Sequence, residues 1–197
     1  MDSKRTWDLD AIVTSINNAT TTLDIHVMDY FPAFIYKKPS EYFPVIDNAI
    51  RNAIIRKVKI RIITSALHYP ELGIRYMKSL QSLNGAKDYN IQIRIITIPR
   101  THLNGLLSRE RRSHIKFLVT DRTVVIGTSN WSGDYFTGGT TGEAVVVNQN
   151  KQKKTIVHQM KKIFDRDWNG PYSHNLEDYY ENCVLRRTAI FCEVDKD

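Results

Sequence analysis

Two cysteines, Cys183 and Cys192, are all that the 197 residues contain. Both lie near the C-terminus, and a pair makes neither a disulfide framework nor a four-cysteine zinc site. Glycine and proline are sparse, at 9 and 6 residues, which excludes a collagenous or low-complexity chain. No uninterrupted apolar run approaches the roughly 18 residues of a membrane-spanning helix. The opening Met-Asp-Ser-Lys-Arg-Thr-Trp-Asp leads into no apolar stretch, so no cleaved secretory signal or transmembrane segment is expected and the chain reads as soluble and intracellular. With 42% hydrophobic and 25% charged residues, the composition is that of one globular domain with a sizeable core.

Charge of one sign prevails. Lys and Arg outnumber Asp and Glu by 28 to 21, a net of +7. The segment from Asn175 onward holds six acids against Arg186, Arg187 and Lys196, so residues 1–174 carry +10. This divides the chain into a basic body, residues 1–174, and an acidic, weakly patterned tail, residues 175–197, expected to be partly disordered. A basic body favours anionic partners, nucleic acid or acidic lipid headgroups, through attraction and counterion release. A basic surface kept for solubility would give the same count.

Short β-rich runs alternate with helical patterns. Asp8 is placed to cap a helix carrying Ile12, Val13 and Ile16, and Leu23, Ile25 and Val27 then alternate as a strand. Val45, Ile46, Ala49, Ile50, Ala53 and Ile54 keep helical spacing within residues 41–56. Val58, Ile60 and Ile62 form the next strand, Leu72 to Leu80 a helix, and Ile91, Ile93 and Ile95 a third strand. After an arginine-rich loop over residues 100–113, strands at 115–120 and 123–126 meet at Asp121-Arg122 as a hairpin. A Gly/Thr-rich loop, a strand at 144–147 and a helix over 152–168 follow. This order predicts a layered α-β-α domain with a mixed sheet.

The chemistry concentrates in His114-Ile115-Lys116 and in Gly127-Thr128-Ser129-Asn130. Residues two apart on a strand share a face, so His114 and Lys116 project together. An imidazole can act as a nucleophile at neutral pH, while an ammonium and amide N–H groups hold phosphate oxygens. Glu143 opens the strand after the Gly/Thr loop, where a carboxylate could fix the tautomer of His114. Arg109, Arg111 and Arg112 precede the histidine and could hold a nucleic-acid backbone. Trp131, Tyr135 and Phe136 could stack bases, although aromatics after a turn more often pack in a core.

The string His114-x-Lys116 with Asp121, then Gly127-Thr128-Ser129-Asn130, resembles the HKD motif of the phospholipase D superfamily. Trp131-Ser132-Gly133-Asp134-Tyr135-Phe136 and the segment Asp167 to His174 look like the C-terminal half of its phospholipase D3/D4-like branch, which includes poxviral DNA nicking-joining enzymes. Asp29-Tyr30-Phe31-Pro32 fits the same half. The resemblance implies the layered phospholipase D-like fold, half of the usual two-motif enzyme. It also implies that His114 attacks phosphorus to form a phosphohistidine. Lys116 and Asn130 would bind phosphate oxygens, with Thr128 and Ser129 lining the pocket. Glu143 would orient the nucleophile, and Asp121 would hold the turn. It implies no metal or other cofactor, DNA as substrate, and a virion or host-cytoplasm setting.

Two HKD motifs normally face each other, and this chain has one. None of His26, His68, His102, His158 and His174 is followed by lysine two residues on. Three readings stand side by side. The leading one is a DNA phosphodiesterase whose second motif comes from a homodimer or another HKD-bearing chain. The others are a phospholipase or membrane-remodelling protein of the same superfamily, and an inactive remnant that only binds nucleic acid or a partner.

Overall fold

Strand β1 (Thr22–Val27) carries apolar side chains on one face and Asp24 and His26 on the other, and the whole architecture follows from this two-sidedness. In the computed structural model, which describes residues 5–65, 70–98, 112–149 and 155–185, β1 lies at the centre of a seven-stranded sheet. It pairs in parallel with β2 (Lys59–Ser65), which pairs in parallel with β3 (Ile91–Ile96). On its other side it runs antiparallel to β4 (Lys116–Thr120), followed by β5 (Thr123–Gly127) and β6 (Ala144–Asn148). The last strand, β7 (Ser173–Asn175), closes the far edge antiparallel to β3. The sheet is mixed, as expected.

One face is covered by α1 (Asp8–Asn17), α2 (Val45–Ile55) and α3 (Pro70–Gln81), whose Ile12, Ile16, Ile50, Ile54, Ile74 and Leu80 meet Leu23, Ile25 and Ile62. Burying each such side chain contributes about 1.5–3 kcal/mol. The other face is covered by a later helix (Ile156–Trp168), labelled α5 below. Its Val157, Phe164 and Trp168 pack on Ile63, Phe117 and Val119. That contact is laced by charge. Arg61 bridges the buried Asp24 at 2.7 Å and Asp165 at 2.8 Å, and its guanidinium lies 4.7 Å from the Phe164 ring centre. A short helix, α4 (Gly133–Phe136), follows the turn after β5.

One expectation is modified. The domain continues past residue 174: β7 is part of the sheet, and Leu176 and Tyr179 of α6 (Leu176–Tyr179) are core residues, 1% exposed. Glu177 and Asp178 make this segment look solvated, but one turn of helix puts Leu176 and Tyr179 on a single inward face. Cys183 is disulfide-bonded and packs against the core, a single covalent tie rather than a framework. Among the described residues, no helix is long and apolar enough to cross a membrane.

Asp121 closes the β4–β5 hairpin and reaches back to the start of β1. Its carboxylate accepts from the N–H groups of Thr20 and Thr21 at 3.0 Å and from the Thr20 hydroxyl at 2.8 Å. Burial works against the charge, but these donors outweigh it and hold the carboxyl well below the usual carboxylate range. Its stabilisation is therefore present above the unfolded pKa, about 3.9, and is lost as pH falls through the folded value. Asp121→Asn is expected to cost roughly 1.5–3 kcal/mol at neutral pH. In urea titrations at several pH values, the gap between variant and wild type should narrow below about pH 4.

Candidate active site

The ends of three segments converge at one edge of the α1 face. The antiparallel register pairs Val27 with Lys116, so two residues beyond β1 the chain brings Asp29 alongside the approach to β4. Trp131 N–H donates to Asp29 O at 2.9 Å, and Phe31 N–H to Trp131 O at 2.8 Å, which seats the turn after β5 against the same point. His114 is exposed and Lys116 is buried, with Lys116 Nζ 3.2 Å from His114 Nδ1 and 3.3 Å from His114 O. The strand parity expected of these two side chains is what the structure shows.

An ammonium has no lone pair, so His114 Nδ1 accepts and the neutral ring carries its proton on Nε2. Burial pushes the Lys116 pKa down, and the nearby charge of Asp29 partly opposes that. A half-desolvated cation beside an exposed imidazole is a ready anion site.

Asn130 is buried. Its Nδ2 donates to Asp29 Oδ2 at 2.8 Å and to the Tyr135 hydroxyl at 3.2 Å, while its Oδ1 is buried without a hydrogen-bond partner. A carboxylate only accepts, so the amide nitrogen must face Asp29. Both amide hydrogens are thus engaged, and holding phosphate through Asn130 requires this network to open. Tyr36 joins it at the rim. Its ring is exposed, but its hydroxyl loses water and hydrogen-bonds Tyr135, which pushes its pKa up to about 12. Asp134 fixes that rim by accepting from Ile35 N–H at 2.7 Å and Tyr36 N–H at 3.3 Å.

Other expected site residues are engaged elsewhere. The Ser129 hydroxyl donates to Asp8 Oδ2 at 2.9 Å, pinning the first turn of α1, and a Cβ at Gly142 would collide with that same hydroxyl. Thr128 Oγ1 accepts from Glu143 N–H at 3.0 Å, and Thr128 N–H donates to Glu143 O at 3.1 Å, so Thr128 joins β5 to β6. Glu143 itself is exposed, its carboxylate 3.8 Å from Arg5 Nη1, with no hydrogen bond to His114. Asp121 is at the opposite end of β4, away from His114. Trp131 and Phe136 are core residues, 5% and 2% exposed, not a stacking surface. Arg112 is half-buried; Arg109 and Arg111 lie outside the described residues.

The carboxylate that the structure does bring to Lys116 and Asn130 is Asp29, which sequence reasoning did not select. The signal was available: Asp29 continues the parity of Leu23, Ile25 and Val27, and an acid at an apolar parity position at a strand's C-terminal end marks the usual crevice of an α/β sheet. Among the described residues no group of His, Cys, Asp and Glu forms a metal cluster.

Comparison with known proteins places this fold in a family. The family described as cardiolipin synthase, PLD-like domain, matches residues 12–168. The chain belongs to the phospholipase D superfamily. The 5'-3' exonuclease PLD3 of Xenopus tropicalis is 38% identical over 190 residues, which cover 92% of this chain and 38% of that protein. Phospholipase D Y of Dictyostelium discoideum is 38% identical over 177 residues, covering 89% of this chain and 38% of its own length. The chain thus spans well under half of these relatives. Among solved structures, the phospholipase D family member Nuc of Salmonella typhimurium superposes with a TM-score of 0.58 at 15% identity, over 84% of this chain and 88% of Nuc. NucT from Helicobacter pylori gives 0.59 at 14%, over 85% and 89%. At these identities the two structures bear on the fold alone.

Proposed function

We propose that this chain is a phosphodiesterase acting on DNA through a covalent phosphohistidine at His114. The observation that carries the reading is the exposed His114 ring with the buried Lys116 ammonium 3.2 Å from it, in a phospholipase D superfamily fold. An incoming phosphodiester competes for Lys116 and draws the ammonium off Nδ1. The imidazole then moves its proton to Nδ1, leaving the Nε2 lone pair free to attack. The new P–N bond forms as the P–O bond to the leaving strand breaks, and the departing oxygen takes a proton from a general acid. Water, or a strand hydroxyl, then attacks phosphorus and releases His114.

Asp29 keeps Lys116 and Asn130 in place, and Tyr135 and Tyr36 line the rim. Glu143 remains, by resemblance, a candidate to orient the nucleophile, and Arg109, Arg111 and Arg112, by their charge next to His114, are substrate-side candidates. Because the phosphohistidine stores the phosphodiester's energy, strand joining needs no ATP, and a nicking-joining activity in a virion setting, which the sequence resemblance implies, is the finer version of this proposal. The relatives' names, PLD3 exonuclease and phospholipase D, support a phosphodiester substrate. The +10 on residues 1–174 favours DNA.

The general acid is supplied by a second HKD motif, from a second copy of this chain or a partner chain. Binding is tested by titrating a fluorescent single-stranded oligonucleotide at increasing salt. If about six phosphates are neutralised, affinity should fall roughly a thousandfold between about 50 and 200 mM salt. Binding that ignores salt, or no binding to any DNA, counts against a DNA substrate.

A further inference from the structure

We propose that His26 and Asp167 are positioning residues for His114, acting through Ser113; this rests on His114 being the nucleophile. His26 is fully buried on the α5 face of β1, the face opposite the active site. Its Nε2 lies 3.0 Å from Ser113 Oγ, and its Nδ1 lies 3.5 Å from Asp167 Oδ2 near the end of α5. Asp167 is held in turn by Arg166, whose Nε and Nη2 are each 2.8 Å from Oδ1. Burial pushes the His26 pKa down to about 4 despite Asp167, with Arg166 adding to the lowering, so the ring is neutral at pH 7. A neutral ring facing a carboxylate on the Nδ1 side carries its proton there, and Nε2 accepts from the Ser113 hydroxyl.

Ser113 is also gripped through its backbone, since Ser65 Oγ donates to Ser113 O at 2.7 Å. Ser113 precedes His114, which lies outside β4, whose first residue is Lys116. Sheet hydrogen bonds therefore do not fix His114. The anchor at Ser113 does, and it sets the backbone from which the His114 ring meets Lys116. The buried His26 and Ser113 and the buried Oδ2 of Asp167 are costly to keep unless satisfied, and here two of the facing atoms, His26 Nδ1 and Asp167 Oδ2, sit outside hydrogen-bond geometry. A site assembled at that cost for packing alone would be better filled by apolar groups.

The test uses Ser113→Ala, His26→Gln, Asp167→Asn and the Ser113→Ala/His26→Gln double variant of the full chain. Each is read by steady-state kinetics, melting temperature and amide hydrogen exchange. Misplacing a catalytic group by about 1 Å can cost on the order of 10²-fold, so kcat is expected to fall about 10–100-fold with KM and melting temperature near wild type. Exchange should rise at His114 and Ile115 and stay unchanged in β1 and β2. The double variant should lose little more than either single one, because both cut the same tether. Unchanged kcat, additive losses, or exchange that rises across the whole sheet would overturn the proposal and leave His26 a structural residue. Should His26→Gln fail to fold, Asp167→Asn, at the partly exposed end of the tether, decides alone. If the wild type cleaves no phosphodiester, the proposed function fails, and the exchange pattern still decides whether the anchor fixes His114.

Discussion

His114→Asn should abolish turnover of both a bis-p-nitrophenyl phosphate reporter and a DNA oligonucleotide, with kcat falling at least about 10⁴-fold, as for other catalytic nucleophiles. The reason is local. His114 is exposed, and its hydrogen bonds among the described residues are with Lys116, so its loss removes chemistry rather than packing. Melting temperature should hardly move. Lys116→Ala, by contrast, removes a buried cation whose charge faces Asp29, and with it a favourable charge interaction at the site. It is expected to cost about 10²–10³ in kcat and to destabilise the fold as well. A His114→Asn protein with more than a few per cent of wild-type activity would move the nucleophile elsewhere.

The second large effect concerns the missing half-site. A departing DNA oxygen needs a proton, and general acid help is commonly worth about 10²–10⁴ in rate. Lys116 cannot supply it without giving up the phosphate, Asp29 and Asn130 are engaged with each other, and the Tyr36 hydroxyl, hydrogen-bonded to Tyr135, has its pKa pushed up to about 12 and is a poor acid. Activity per chain should therefore collapse on dilution, in step with dissociation measured by analytical ultracentrifugation. A twofold-symmetric pair would bring two His114 residues together across one interface. Excess His114→Ala chain should suppress wild-type activity, and mixtures of His114→Ala with Lys116→Ala should stay inactive, since no mixed pair holds two intact motifs. A fully active dilute monomer would contradict the shared site. A stable dimer without activity would favour the inactive remnant, or a partner chain carrying the second motif.

Much of the fold was legible because its signals are local. The alternation through Leu23, Ile25 and Val27 and the helical spacing from Ile46 to Ile54 each mark an element that burial alone explains. Asp121-Arg122 marked the hairpin, and strand parity put His114 with Lys116. The contacts missed are those made across long stretches of chain. Ser129 reads as a pocket residue until Asp8, 121 residues away, takes its hydroxyl. Glu143 stands just before a strand, but that strand, β6, is at the sheet's edge, and Glu143 faces solvent beside Arg5. Asp29 carries no local signal of a partner in the sequence. Only the register of β1 against β4 reveals it as the partner of Asn130 beside Lys116. The surroundings of His26 are likewise invisible in the sequence: its two partners come from Ser113, just upstream of His114, and from the end of α5.

The central claim is that His114 becomes covalently bound to phosphorus. The most direct measurement is to quench the wild-type chain with DNA labelled at the scissile phosphate, within a single turnover, in strong base, and to map the label by mass spectrometry. The account predicts a phosphoryl adduct on the peptide containing His114. It should survive alkali, be lost in acid, and be absent from His114→Asn. Cleavage that proceeds with no adduct at any time point, or an adduct on another residue, would contradict it.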